Sequence, residues 1–431
     1  MSLSNKSVQT LSDKAEQIYI YAFPLVITEI TRWGSKKNGL EHYRTFPDDR
    51  TSKVVKLNLD TLYSIAFTSL AKTPYILHIP KIEDRYYLFP VMDAYTNVVE
   101  SIGTRTPEWA DGDYILLYQD SPVPAGFENY RVIRLKDSLN SILLRIETRG
   151  KKDYKYINEL QDRFSLKALY PEKLEEVPPS KGAPALYIES LSPEDFFNLF
   201  HRLSVENPVR DGQIRSWIHE FGLDDEEFSF ENIDSSLRQA LIDGALSGFK
   251  KVSTSWPAAE NIINSNGWES RFTDIGRYGN NYLARASVSL HGWGANIPED
   301  SAYATASADT SGDPFDSAKK YKIHFKKDGY PHAAVFWSMT LYGERYLAEN
   351  RIGRYSFNTY DLEDGRLVKN DDGSLDIYIS REEPESAKEK TNWLPAPLHE
   401  DTFSVSIRIY WPDEVTLQGR WEGPVINEIK D

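Results

Sequence analysis

Six charged residues in this chain, Asp60, Asp93, Arg105, Arg285, Arg354 and Arg408, sit inside apolar, strand-like stretches rather than in polar loops. A charge carried into a packed interior needs a partner, because an unpaired one is expensive away from water. The plainer expectation is ion pairing that pins loops or an interface between domains. The sharper expectation is a cleft in which some of these charges stand beside a stacking wall of Tyr63, Tyr95, Trp337, Tyr355, Trp393 and Tyr410. Aromatic faces stack on CH groups while arginine and aspartate hold hydroxyls, which fits a carbohydrate or another small polar molecule. The ligand-binding set on that reading is Tyr63, Tyr95, Arg105, Trp337, Arg354, Tyr355, Trp393 and Arg408. Asp60 or Asp93 in the same cleft would supply a general acid or base for hydrolysis. A third reading has the β domains serving structural or surface assembly, with a homo-oligomer as partner.

Other residue patterns carry less. Asp309, Asp313 and Asp316 in a glycine-containing loop offer hard oxygen ligands for calcium. The run Asn370–Asp376 reads better as a hairpin turn, since Asp-Gly between strands favours that geometry. His291, His324 and His332 fall in the C-terminal half without a His-x-His pair, so surface or interface roles are expected over a metal site. The stretch from Gly244 to Gly248 lacks the spacing of a serine-hydrolase elbow, and His219-Glu220 lacks the second histidine of a zincin helix. The chain has 0 Cys, which removes disulfides, thiolate nucleophiles and iron–sulfur ligation. No cofactor is expected.

The elements that must hold these residues are mostly strands. Ala333–Tyr342 is an uncharged run with large side chains on both faces, the pattern of a strand buried on both sides. Tyr321–Phe325, Leu375–Ile379 and Phe403–Trp411 are its expected neighbours, with Tyr282–Leu290 read as a further strand. Between residues 54 and 149, strands are expected at Leu62–Leu70, Tyr75–Ile79, Tyr86–Pro90, Tyr114–Tyr118 and Tyr130–Leu135, the spacing of an antiparallel sandwich. Residues 12–34 predict a helix kinked at Pro24. Helices are also expected at Tyr154–Leu169, from Pro193 to Leu203, at Gln213–Phe221 and at Ile233–Gly248, with Asp224–Glu227 as an acidic helix start. The resulting division is an N-terminal helix and loop over 1–50, a sandwich over 51–150, a helical segment over 151–260 and a second sandwich over 261–431.

Length and composition bound the partners. At 431 residues the chain is too long for one ordinary core, and 40% hydrophobic with 13% aromatic residues is ample for packed interiors. A formal charge of −15 argues against nucleic acid and gives no help at an anionic lipid surface. The longest N-terminal apolar run, Ile18–Ile27, is short and interrupted by Pro24, so neither a signal peptide nor a membrane span is expected. As written, the chain reads as a soluble cytoplasmic protein, or as a periplasmic or secreted one if a signal peptide has been removed.

Long motifs resemble a two-part family. Asn58–Ser64, Asp84–Tyr87, Asp93–Asn97 and Ile102–Arg105 resemble its N-terminal half, the domain of unknown function numbered 1254. Tyr282–Ala286, Phe336–Tyr342, Asn350–Ser356, Asp372–Leu375, Asn392–Pro397 and Arg408–Pro412 resemble its C-terminal half, the domain of unknown function numbered 1214. The resemblance spans roughly residues 15 to 428 and implies an architecture: an immunoglobulin-like β-sandwich, a helical segment, then a C-terminal jelly roll. It carries over no catalytic residue. Many bacterial members are exported, whereas no export signal is expected in this N-terminus.

Overall fold

Ala333–Tyr342 is a strand along its full expected length, paired antiparallel with Ser404–Pro412 on one side and Ser356–Asn358 on the other. In this computed structural model, residues 10–35, 39–50, 56–170, 182–255, 263–271 and 274–430 are described. The strand belongs to a six-stranded sheet ordered Ile263–Ser265, Trp268–Ser270, Ser301–Ala306, Ser404–Pro412, Ala333–Tyr342, Ser356–Asn358. A four-stranded sheet of Trp393–Pro395, Leu375–Ser380, Tyr321–Phe325 and Val425–Glu428 packs over it. Met339, Leu341, Ile407, Ile409, Ile323 and Ile377 fill the space between, all fully or nearly fully buried.

The N-terminal half is likewise a sandwich. A five-stranded sheet, ordered Glu41–His42, Thr61–Ser69, Leu139–Glu147, Tyr87–Met92, Val98–Gly103, faces a four-stranded one of Arg131–Leu135, Gly112–Tyr118, Tyr75–Ile79 and Ser165–Ala168. Leu62, Phe89, Leu144, Leu77 and Leu116 form its core. The chain is therefore a multidomain, mainly β protein with an α segment, as its strand spacing predicts.

Helices gather around Leu11–Trp33, whose residues from Ala15 to Ile30 are buried on nearly every side. Thr10 and Asp13 close a capping box at its start, and the helix runs unbroken through Pro24. The helix Ser235–Thr254 crosses it so closely that a Cβ on Gly244 would lie 2.6 Å from the backbone nitrogen of Glu16. Backbone cannot yield there, so this position is closed to any larger residue.

Three expectations need correcting. Tyr282–Leu290 is a helix, Tyr282–His291, opened by Asn281, whose side chain accepts from the Ala284 amide. It is buried against the N-terminal helix, and a short run apolar all round does not discriminate strand from helix. Tyr154–Leu169 divides into a helix, Tyr154–Gln161, and a strand, Ser165–Ala168, which completes the N-terminal sandwich. The acidic run Asp224–Glu227 is a turn, and the next helix starts only at Ser235, capped by Asp234. The N-terminal helix packs with the helices of residues 184–254 and with Tyr282–His291, so one helical core draws on three separate stretches of chain.

Candidate functional site

The outer face of the five-stranded sheet meets the outer face of the six-stranded sheet. In Thr61–Ser69, Leu62 and Ala66 point into the N-terminal core, so the alternation of a strand turns Tyr63 outward. In Leu139–Glu147, Ile142, Leu144 and Ile146 point inward and Arg145 points out. The register sets Tyr63 directly opposite Arg145, whose guanidinium lies 4.9 Å from the ring centroid. The facing sheet repeats the device. Ala302 and Ala304, with Ile407 and Ile409, enter the C-terminal core, leaving Tyr303 and Arg408 outside as a cross-strand pair 5.7 Å apart. Each sheet thus presents one Tyr–Arg pair to the other.

Polar groups fill the seam between them. The Ser338 and Tyr410 hydroxyls donate to Asp60 Oδ2 at 2.6 and 2.9 Å. Asn58 Nδ2 donates to the Tyr410 hydroxyl at 2.6 Å, while Asn58 Oδ1 accepts from the Asp60 and Thr61 amides. Arg408 donates to the Tyr342 hydroxyl at 2.6 Å, the Lys56 carbonyl at 2.9 Å and Thr340 Oγ1 at 3.2 Å. Arg145 donates to Asn296 Oδ1 and to the Gly294 carbonyl. Among the described residues, neither arginine forms an ion pair with a carboxylate.

Three buried atoms there lack any partner among the described residues: Asp60 Oδ1, Arg145 Nε and Ser301 Oγ. Asp60, Arg145, Arg408 and Tyr410 form the buried floor, whereas Tyr63 and Tyr303 are only half-buried and mark a mouth. Burial pushes the Asp60 carboxyl up, opposed by the Arg408 charge and the hydroxyls of Ser338 and Tyr410. Burial, then the Arg408 charge, pushes Lys56 down to about 8. The seam thus gathers cationic and hydroxyl donors of both sheets around one aspartate, and it is the candidate binding slot.

The other residues singled out from sequence lie elsewhere. Arg105 joins the seam farther along, donating to Asp300 Oδ1 at 2.6 Å, while the Tyr86 hydroxyl donates to the Asp300 carbonyl at 2.8 Å. Asp93 and Tyr95 sit at the junction with the helices. There Arg285 is boxed by the rings of Tyr21, Tyr95 and Tyr282 at 4.7, 5.2 and 4.9 Å. Trp337 points into the C-terminal core against Phe325. At the far edge, Arg354 donates to the Trp393 carbonyl at 2.8 Å, and the Tyr355 hydroxyl donates to Asp49 at 2.6 Å. The six aromatic residues therefore form no common wall; Tyr63 and Tyr410 alone among them reach the slot.

The acidic loop is tied up internally. Asp309 Oδ1 accepts from the Ser311 and Asp313 amides, and Asp316 Oδ1 accepts from the Ala318 amide. His324 and His332 each contact a single aspartate, Asp376 and Asp413. Among the described residues no three His, Asp or Glu side chains converge as a metal ion would require. A surface hollow of about 400 Å³ lined by Tyr187, Leu191 and Asp195 lies in the helical body, away from the slot.

Sequence reasoning missed Arg145, Tyr303 and a second carboxylate beside Asp93. Arg210 bridges the two acids, with Nη1 3.3 Å from Asp93 Oδ2 and Nη2 2.5 Å from Asp137 Oδ1, the latter an ion pair without hydrogen-bond alignment. Burial first, then the Asp93 charge, pushes the Asp137 carboxyl from 3.8 up to about 7 despite Arg210. The folded state therefore holds this proton more tightly than the unfolded chain, and the group's contribution to stability, complete below about pH 4, is lost as pH rises through 7. Asp137→Asn is expected to flatten that slope, removing roughly 2–4 kcal/mol of pH dependence. Urea unfolding at pH 4.5, 6 and 7.5 measures it, and an unchanged slope would contradict the assignment.

The comparisons with known proteins agree with this architecture. Residues 37–168 match the family described as "Protein of unknown function (DUF1254)", and residues 300–414 match "Protein of unknown function (DUF1214)". No curated protein matches the chain. Among solved structures, the VPA0106 protein from Vibrio parahaemolyticus is similar over 98% of this chain and 100% of its own, with a TM-score of 0.71 at 20% identity. An uncharacterized protein from Burkholderia cenocepacia aligns over 99% of this chain and 92% of its own, with a TM-score of 0.45 at 12% identity. The chain belongs to the two-part family that joins an N-terminal DUF1254 region to a C-terminal DUF1214 region.

Proposed function

We propose that the chain is a binding protein for a small polar molecule, held in the slot between its two β-sandwiches. The observation that carries this reading is the pair of buried arginines, Arg145 and Arg408, one on each facing sheet, neither of them hydrogen-bonded to a carboxylate among the described residues. Buried polar groups are normally satisfied, and a set of unsatisfied ones lining one slot is where a ligand replaces lost water. Tyr63 and Tyr303 stand at the mouth as stacking faces, the chemistry a sugar ring or similar polar molecule uses. A thermal-shift screen of sugars, small organic acids and amides tests the reading, since a ligand that binds only the folded state raises the melting temperature. One class is expected to raise it, and Tyr303→Ala to abolish the shift; no shift with any compound would overturn the reading.

A second reading is favoured by the Asp93–Asp137 pair, two carboxylates on one guanidinium, of which burial pushes Asp137 up to about 7, as a general acid in hydrolysis requires. Its test is turnover that Asp137→Asn abolishes with folding intact. Hydrolysis unaffected by that change would remove it.

A further inference from the structure

We infer that the ligand of the interdomain slot is a small organic monoanion whose carboxylate sits at Arg145, with Tyr63 and Tyr303 flanking its body. This rests on the reading of the slot as a binding site, and adds the ligand's charge and class. The argument begins with where charge is placed. A chain of formal charge −15 buries two arginines in one seam and sets Lys56 beside them, with Asp60 as the buried carboxylate nearest to them. The other acids of the seam are spent. Glu147 pairs with Arg149 at 2.6 Å and Asp300 with Arg105 at 2.6 Å, while Glu269 is exposed and acts on Lys56 through its charge alone. The slot thus keeps a surplus of positive charge in a setting where water does little to screen it, and an anion is what would balance it.

The donors left over set the size of that anion. Both Arg408 Nη atoms are engaged with protein oxygens, as are both Nη atoms of Arg145; Arg145 Nε is buried and has no acceptor among the described residues. One charged N–H with the Tyr63 and Tyr303 hydroxyls, which accept from Arg145 and Asn296 and keep their own protons to donate, suits a single carboxylate rather than a group that needs several forks. Ser301 Oγ, buried and unpartnered, offers a hydroxyl of the ligand a bond.

Isothermal titration at low ionic strength and pH 7 separates the alternatives with matched probes: lactate against lactamide, D-glucuronate against D-glucose, and inorganic phosphate. Each carboxylate is expected to bind at least tenfold more tightly than its neutral partner and than phosphate. Tyr303→Ala, at a half-buried position, and Lys56→Met, each first shown to be folded by circular dichroism, are expected to weaken carboxylate binding severalfold, which places it in the slot. Equal binding of the neutral partners, lost with Tyr303→Ala, would overturn the monoanion and leave the slot standing. Tighter binding of phosphate would overturn it as well. Binding by none of the five probes, or carboxylate binding indifferent to both variants, would overturn the inference together with the reading beneath it.

Discussion

Arg408→Met is expected to cost about 3–5 kcal/mol of stability, because it strips the nearest cation from a fully buried carboxylate. Asp60 keeps only the hydroxyls of Ser338 and Tyr410 in that variant, and one of its oxygens has no partner to begin with. The Lys56 carbonyl and the Tyr342 hydroxyl lose their donor at the same time. Adding Asp60→Asn should recover roughly 1–2 kcal/mol, since it removes the stranded charge while keeping the shape. Urea titration of the wild type, both single variants and the double variant measures the coupling. A loss below 1 kcal/mol for Arg408→Met, or no coupling, would mean that the seam does not depend on this charge.

Phe23→Ala is expected to cost a comparable 3–5 kcal/mol, by a different route. Phe23 is wholly buried at the centre of the helical core, with the rings of Tyr19, Phe196 and Phe249 at 5.9, 6.5 and 6.5 Å. Truncation leaves a cavity between helices drawn from distant parts of the chain, which already touch closely where Gly244 meets Ala15 and Gly248 meets Tyr19. The same titration measures it, and the variant should bind slot ligands as the wild type does. A loss under 1.5 kcal/mol would show that the helical body repacks freely around the gap.

The strand run Ala333–Tyr342 and both sandwiches are legible in the sequence because uncharged, alternating runs and turn formers leave few other folds open. Asp60 and Arg408 are legible for a related reason: a charge inside an apolar run must meet something. Which face each strand residue takes is another matter. Ala333–Tyr342 carries large side chains on both sides, so nothing local says that Trp337 enters the sandwich core while Ser338 faces the slot. Arg145 bears the same signature as Arg408, but its strand, Leu139–Glu147, follows a polar stretch and escapes notice. Tyr303 hides in Ser301–Ala306, where alternate alanines pack well against the opposing sheet without looking like a strand. The pairing of Asp93 with Asp137 through Arg210 is set by how the helices dock on the sandwich, and no spacing along the chain encodes it.

Diffraction from crystals soaked in lactate tests the binding slot most directly. The expected result is difference density for one carboxylate between Tyr63 and Tyr303, within hydrogen-bond distance of Arg145 Nε. Unchanged density in the slot at saturating lactate and saturating lactamide, with Arg145 Nε and Asp60 Oδ1 bonded only to ordered water, would contradict it.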